Sequence, residues 1–215
     1  MKLLLTTRMG DPYFGLLDDL PDIQKVWATT PEEIAGWTIG IVGYGQIGQQ
    51  VARRALRFEM HVLAVDIEPT PDAPHGVEVW GLDRLPALFE QSDVVVVAAP
   101  FTPQTRHLID ADLLERMKPT AYLPVESRGG IVDESALLDV LKKGKITAAG
   151  LDVFEQEPLG SDSELWDVPN LIMTPHLAGA SIQKDRRCVE ILRENLGRFQ
   201  RGETLINLVD KRKGY

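Results

Sequence analysis

The sequence predicts an α/β fold built on a doubly wound parallel sheet, and three observations predict it. Short β-branched runs alternate with segments of helical period between residues 38 and 173, the pattern of repeated βαβ units. The run Asp93-Val-Val-Val-Val-Ala-Ala lacks in–out alternation, as a strand covered on both faces should. Between the first of these strands and its helix lies Gly43-Tyr44-Gly45-Gln46-Ile47-Gly48, a glycine turn at the strand end, where open parallel sheets bind ligands.

Taken in order, Lys2 to Thr7 reads as a strand, Pro12 to Leu20 as a short helix with Leu16, Leu17 and Leu20 on one face, and Ile23 to Ala28 as a second strand. Thr30-Pro31-Glu32-Glu33 reads as a helix start: Thr30 caps, proline takes the first turn and Glu33 completes a capping box. Strands are then expected at 38–42, 61–65, 77–80, 93–98, 120–125, 146–151 and 171–173, with helices at 46–58, 82–90, 110–117 and 133–143. A long helix is expected from Ser181 to Gln200, with Val189, Ile191, Leu192, Leu196 and Phe199 apolar, ending at Gly202. Leu205-Ile-Asn-Leu-Val follows as a return strand or a docking tail.

The glycine turn carries chemistry because each residue has a separate job. Gly43 permits the tight turn, Gly45 lets backbone approach a pyrophosphate, and Gly48 lets helix and strand pack closely. The Gln46 and Ile47 amides open the helix, so unpaired N–H groups and the positive dipole end face the phosphates. Asp66, 18 residues past Gly48, ends the next strand, where a carboxylate accepts hydrogen bonds from a ribose diol and repels a 2′-phosphate. NAD is therefore the expected cofactor, bound in a Rossmann domain.

Composition narrows the class. With 215 residues, 44% of them hydrophobic, the chain can bury a substantial core. Its net charge of −9 and the lack of a Lys/Arg run argue against nucleic acid as a partner. The longest apolar run, Val94 to Phe101, is far below spanning length, and Met1-Lys-Leu-Leu-Leu is too short for a signal core. No membrane is expected, and one cysteine, Cys188, fits a reducing, cytoplasmic setting. Cys188 lies in a helical pattern and is expected to pack in the interior. No metal is expected.

Three further segments each follow an expected strand: Ser127-Arg128-Gly129-Gly130, Asp152-Val153-Phe154-Glu155-Gln156-Glu157-Pro158, and Thr174-Pro175-His176. They bring a guanidinium, carboxylates and an imidazole to one sheet edge. That set suffices to move a hydride to a 2-oxo acid: a cation holds the carboxylate and carbonyl oxygen, and a proton donor meets the alkoxide. On these motifs the sequence resembles the D-isomer-specific 2-hydroxyacid dehydrogenase family from about Gly36 to Val209. The resemblance implies that Arg128 anchors substrate, that His176 is the general acid/base and that Glu157 is its carboxylate partner. It also implies that Pro100 and Thr105 line the adenosine and ribose side, and that Asp152 contacts the nicotinamide. A carboxylate beside an imidazole favours its protonated form and selects which ring nitrogen faces substrate.

Bland readings remain for several residues. Arg128 could bond loop carbonyls, Glu134 and Glu155 read as solvated charges, His61 and His107 as packing or capping groups, and His75 as exposed. Two departures from the family stand out. Its members carry an N-terminal substrate lobe of roughly 100 residues, whereas residues 1–35 here resemble only a shortened remnant of it. The expected organisation is thus that remnant, a Rossmann domain over 36–180, and a helix and tail over 181–215 that return to the N-terminal segment. In the second departure, Val125 replaces an expected asparagine, Pro124 sits in a central strand, and Glu126 is close enough in sequence to pair with Arg128. The expected activity is hydride transfer between NAD(H) and a small 2-hydroxy or 2-oxo acid, with homodimerisation open. The alternative is a non-catalytic NAD(H)-binding sensor or interaction module.

Overall fold

The computed structural model describes residues 2–5, 24–27, 32–212 and 214. The chain divides into two compact units, Met1–Ala35 and Gly36–Tyr215. In the first, β1 (Lys2–Leu5) and β2 (Gln24–Trp27) pair in parallel. The helix expected at Pro12 to Leu20 lies outside the described residues, as do Thr30 and Pro31. Glu32 to Ile34 are irregular and Ala35-Gly36 form a turn, so the helix expected to start there does not form. Gly36, in the left-handed region at φ +79°, follows too soon after Pro31 for a helical nucleus to close.

The second unit is a seven-stranded, all-parallel sheet in the order β5-β4-β3-β6-β7-β8-β9. The strands are β3 (Thr38–Val42), β4 (His61–Val65), β5 (Val77–Trp80), β6 (Val94–Val97), β7 (Tyr122–Val125), β8 (Ala148–Leu151) and β9 (Leu171–Met173). The helices are α1 (Gln46–Arg57), α2 (Leu85–Gln91), α3 (Ala111–Glu115), α4 (Glu134–Lys142) and α5 (Lys184–Gln200). The strand order reverses between β3 and β6, so the doubly wound fold places its switch point beside the glycine turn.

Two apolar clusters hold the sheet. One packs α2, α3 and α4 residues such as Phe89, Leu114 and Leu137 against β6, β7 and β8. The other seats Ala52 and Ala55 of α1 on Ile39 and Ile41 of β3 and on Val62 and Ala64 of β4. Small residues on the buried face of α1 set this close approach: a Cβ on Gly48 would lie 2.1 Å from the Gly43 carbonyl oxygen. Asp110 caps α3 through the Leu113 amide, and Asp133 caps α4 through the Ser135 and Ala136 amides.

Pro124 does occupy the central strand β7. The ladder to β6 pairs only Tyr122 and Val125, so it skips the proline, and on the other side Pro124 faces Gly150. The expected helix 82–90 is a 3-10 turn at Leu82–Arg84 followed by α2, whose first turn holds Pro86. One further expectation fails, and one is met in its second form, a docking tail. Cys188 is exposed on α5, which buries none of its residues. Leu205 to Val209 form no strand; instead the Asn195 side chain takes both the N–H and the carbonyl of Ile206, giving the segment its partner.

Candidate functional site

Every loop that follows β3, β4, β6, β7, β8 and β9 emerges at the same sheet edge, because all the pairings are parallel. At the β3 end, Gly43 adopts φ +95°, and a Cβ there would meet the Ala99 backbone at 2.7 Å. A Cβ on Gly45 would meet nothing within 4 Å, so open space lies beside its backbone. No side chain caps α1, leaving the first-turn amides at Gln46 and Ile47 without a side-chain partner. A cleft of about 370 Å³ opens here, lined among others by Gly43, Gly45, Asp66, Pro100, Thr105 and Arg212. Glycines at a close approach, an uncapped helix start and an adjoining cleft fit a dinucleotide.

Asp66 stands at the cleft with its carboxylate already engaged: Oδ2 accepts from the Tyr44 amide at 2.7 Å and Oδ1 from the Glu68 amide at 3.0 Å. The Thr105 hydroxyl donates to the Pro100 carbonyl at 2.7 Å and folds the loop after β6. Gln46, Ile47, Gly48 and Asp152 do not line this cleft; neither do Arg128, Glu157 and His176.

These last three belong to loops further along the edge. His176 Nδ1 lies 2.7 Å from Glu157 Oε2, and Glu157 Oε1 accepts from the Phe154 amide at 3.0 Å. The bond to His176, then the Phe154 amide and the charges of His176 and Arg128 hold the Glu157 carboxyl below its ordinary range, against a smaller effect of burial. A carboxylate kept charged can only accept, so Nδ1 carries the proton. Arg128 is within electrostatic reach of Glu157, and its guanidinium donates to the Ser127 carbonyl at 2.7 Å, the loop-carbonyl contact of the bland reading. Glu126 forms no ion pair with Arg128.

Asp152 organises the histidine loop from beneath. It is buried, and its carboxylate accepts from the Thr174 hydroxyl at 2.5 Å, the Leu177 amide at 2.7 Å and the Ala178 amide at 2.8 Å. Its carbonyl takes the His176 amide at 2.8 Å, which helps hold His176 at φ +55°. Burial pushes the Asp152 carboxyl up, yet those hydrogen bonds and nearby His176 together bring it below its ordinary value.

Sequence reasoning missed a second network. Glu134 and Glu155 are not simply solvated: each accepts a hydrogen bond from the other's amide, and His107 Nε2 lies 3.0 Å from Glu155 Oε1. Burial, followed by the charges of Glu155 and Glu157, raises the Glu134 carboxyl although the Glu155 amide opposes it. The His107 amide also binds the Gly130 carbonyl, so this network ties the Arg128 loop to the Glu157 loop. Gly129 permits that junction, because a Cβ there would lie 1.9 Å from the Phe154 carbonyl oxygen. Ser127 Oγ, buried beside Arg128, has no hydrogen-bond partner. His61 and His75 are exposed.

A sheet of this order with a glycine turn at its switch point defines a dinucleotide-binding domain. More narrowly, a family model described as the NAD binding domain of D-isomer specific 2-hydroxyacid dehydrogenases matches residues 23–178, and the chain belongs to that family. A glyoxylate reductase from Korarchaeum cryptofilum is 45% identical over 181 residues, covering 83% of this chain and 54% of that protein. A glycerate dehydrogenase from Methylorubrum extorquens is 42% identical over 173 residues, covering 80% and 52%. The chain spans about half the length of the curated relatives it matches. Among solved structures, a D-isomer specific 2-hydroxyacid dehydrogenase from Xanthobacter autotrophicus Py2, in complex with NADPH and MES, has TM-score 0.80 and 36% identity, covering 95% of this chain and 82% of that one. An NADPH-dependent glyoxylate/hydroxypyruvate reductase from Sinorhizobium meliloti, in complex with NADP and sulfate, has TM-score 0.81 and 31% identity, covering 95% and 64%.

Proposed function

We propose that the chain binds NAD(H) and transfers a hydride between the nicotinamide and a small 2-hydroxy or 2-oxo acid. The observation that carries this reading is the 2.7 Å bond between His176 Nδ1 and Glu157 Oε2, set at the same sheet edge as the glycine turn and Arg128. The cofactor, when bound, supplies or accepts the hydride. Arg128 turns its guanidinium from the Ser127 carbonyl to the acid's carboxylate and carbonyl oxygen. His176 delivers a proton from Nε2 to the oxygen of the reduced carbon, and recovers one in the oxidative direction. Glu157 holds the ring by Nδ1–H and fixes its orientation. The turn that Gly43 and Gly48 permit offers the Gly45 backbone and the Gln46 and Ile47 amides to the pyrophosphate. Pro100 and Thr105 border the adenosine side, and Asp152 sets the nicotinamide end by fixing the His176 loop.

NAD is favoured over NADP because, among the described residues, two carboxylates, Asp66 and Glu68, line the cleft against one cation, Arg212. The two solved relatives named above carry NADPH or NADP, which makes this preference the first point to measure. A homodimer is part of the same reading, supported by the exposed apolar residues Val189, Leu192, Leu196 and Phe199 along α5. The reading also places the protein in the cytoplasm, consistent with its single cysteine.

A second reading, a non-catalytic NAD(H)-binding module, draws on the exposure of the catalytic pair: the side chains of His176 and Glu157 are 45% and 36% exposed. Hydride transfer is served by excluding water. The test is titration with NADH and NADPH by fluorescence, alongside cofactor oxidation with glyoxylate, hydroxypyruvate and pyruvate. Tighter NADH binding with turnover of at least one acid is expected. Binding without turnover on any acid leaves the module, and absence of binding removes both readings.

A further inference from the structure

A second cavity, of about 690 Å³, lies between α1 and the segment from Thr70 to Val77. It shares no lining residue with the dinucleotide cleft, and its size is that of a small-molecule site, roughly 300–1,000 Å³.

Its charged groups are Arg53, Arg57 and Asp72, with the His75 imidazole beside them. Arg53 and Arg57 stand one turn apart on α1, four residues from each other, so they share a face. Among the described residues neither makes an ion pair or a hydrogen bond, whereas Arg54, between them, binds Gln50. Two guanidinium groups against one carboxylate leave this wall positive in a chain of net charge −9. Tyr44 forms the floor. The residue as a whole is 5% exposed, and among the described residues its hydroxyl, which is open to solvent, makes no hydrogen bond. Burial pushes the Tyr44 phenol up, with Arg53 acting the other way, so the hydroxyl stays a donor at neutral pH. Leu56 and Val77 supply an apolar side.

Unpaired guanidinium forks and a phenol O–H with no partner among the described residues together describe an acceptor-rich dianion, and the spare volume with its apolar side calls for an organic body attached to it. We propose that this cavity binds a small phosphomonoester, with the phosphate between Arg53 and Arg57, the Tyr44 hydroxyl as a third donor, and the organic group against Leu56 and Val77. The site is coupled to the first one through a single residue. The Tyr44 amide donates to Asp66 Oδ2, and the Tyr44 carbonyl accepts from Gln49 Nε2 at 3.2 Å, so a ligand on its hydroxyl loads the turn between Gly43 and Gly45.

The test uses the whole chain, labelled with ¹⁵N and titrated with phenyl phosphate and with inorganic phosphate at constant ionic strength. Saturable shifts at the amides of Tyr44 and Gly76 and at the Arg53 and Arg57 Nε–H groups are expected, with phenyl phosphate the tighter ligand. Affinity should fall at least tenfold in R53A/R57A. It should fall less in R53K/R57K, which keeps the charge without the fork and serves as the reading should the alanine variant fail to fold. Shifts confined to Gly45–Gly48 would place the phosphate on the dinucleotide turn and overturn the proposal. Unchanged affinity in both variants would overturn it equally. Neither result counts against the dehydrogenase reading, whose hydride and proton transfer rest on Arg128, Glu157 and His176.

Discussion

Asp152→Asn isolates the group that holds the histidine loop, because it keeps the side-chain volume and changes only the hydrogen-bonding pattern. The carboxylate takes the Thr174 hydroxyl and the Leu177 amide on Oδ1 and the Ala178 amide on Oδ2. Whichever way the new amide turns, its NH₂ meets at least one donor. Hydrogen bonds to a charged group contribute about 1.5–3 kcal/mol each. Leu177 and Ala178 are exposed, so a freed amide regains water and the cost sits near the lower end. One bond lost and the others weakened to neutral strength come to about 2–3 kcal/mol. A domain of this size loses roughly 2–4 °C per kcal/mol, so the unfolding midpoint should fall by about 4–12 °C.

The pH dependence gives the sign. The folded-state pKa of Asp152 lies below its unfolded value, so its contribution is full above the ordinary aspartate value, about 3.9, and fades as pH falls through the folded one. Thermal unfolding followed by circular dichroism at pH 7, 5 and 3 should show a gap between the two proteins that is steady at the higher values and narrows at the lowest. A variant as stable as the parent at pH 7, or a gap that widens in acid, would refute the reasoning.

Gly48→Ala forces a Cβ to 2.1 Å from the Gly43 carbonyl oxygen, so it should cost about 1–3 kcal/mol and weaken NADH binding at least tenfold by fluorescence titration. Unaltered affinity would contradict the role of the turn. Asp66→Ala removes the carboxylate at the cleft and should narrow the NADH-over-NADPH preference about tenfold, roughly 1.4 kcal/mol; an unchanged ratio would show that the ribose is read elsewhere. Ser127→Ala removes a buried hydroxyl with no partner and should raise stability by about 1 kcal/mol, measured by chemical denaturation. A loss of stability would mean that the hydroxyl has a partner in solution.

Much of the fold was legible because it is written locally. The strands at 38–42, 61–65, 77–80 and 171–173 have the expected bounds, since β-branched runs end at glycine or polar breakers. Strands β7 and β8 are shorter than expected at their starts. Ala121 turns back onto the Lys118 carbonyl, and Ile146 is buried without joining the ladder, so apolar character outran pairing. Thr30 to Glu33 carries a helix signature with too little chain behind it, and Leu205 to Val209 a strand signature with no edge to join. The glycine turn could be read because its six residues are contiguous. The His107–Glu155 bond spans 48 residues and the Glu134–Glu155 pair 21, distances at which spacing says nothing. Cys188 misled for a related reason: helical period marks a face as apolar and leaves open what covers it.

The central claim is that His176, held by Glu157, moves the proton at this sheet edge. Steady-state oxidation of NADH with the best acid substrate, compared with NADH affinity, in the parent chain and in His176→Ala tests it most directly. Turnover should fall about 10²–10⁴-fold, the usual worth of a general acid, with the NADH dissociation constant changed less than twofold. Turnover that survives the substitution, or a parallel loss of NADH binding, would contradict the assignment.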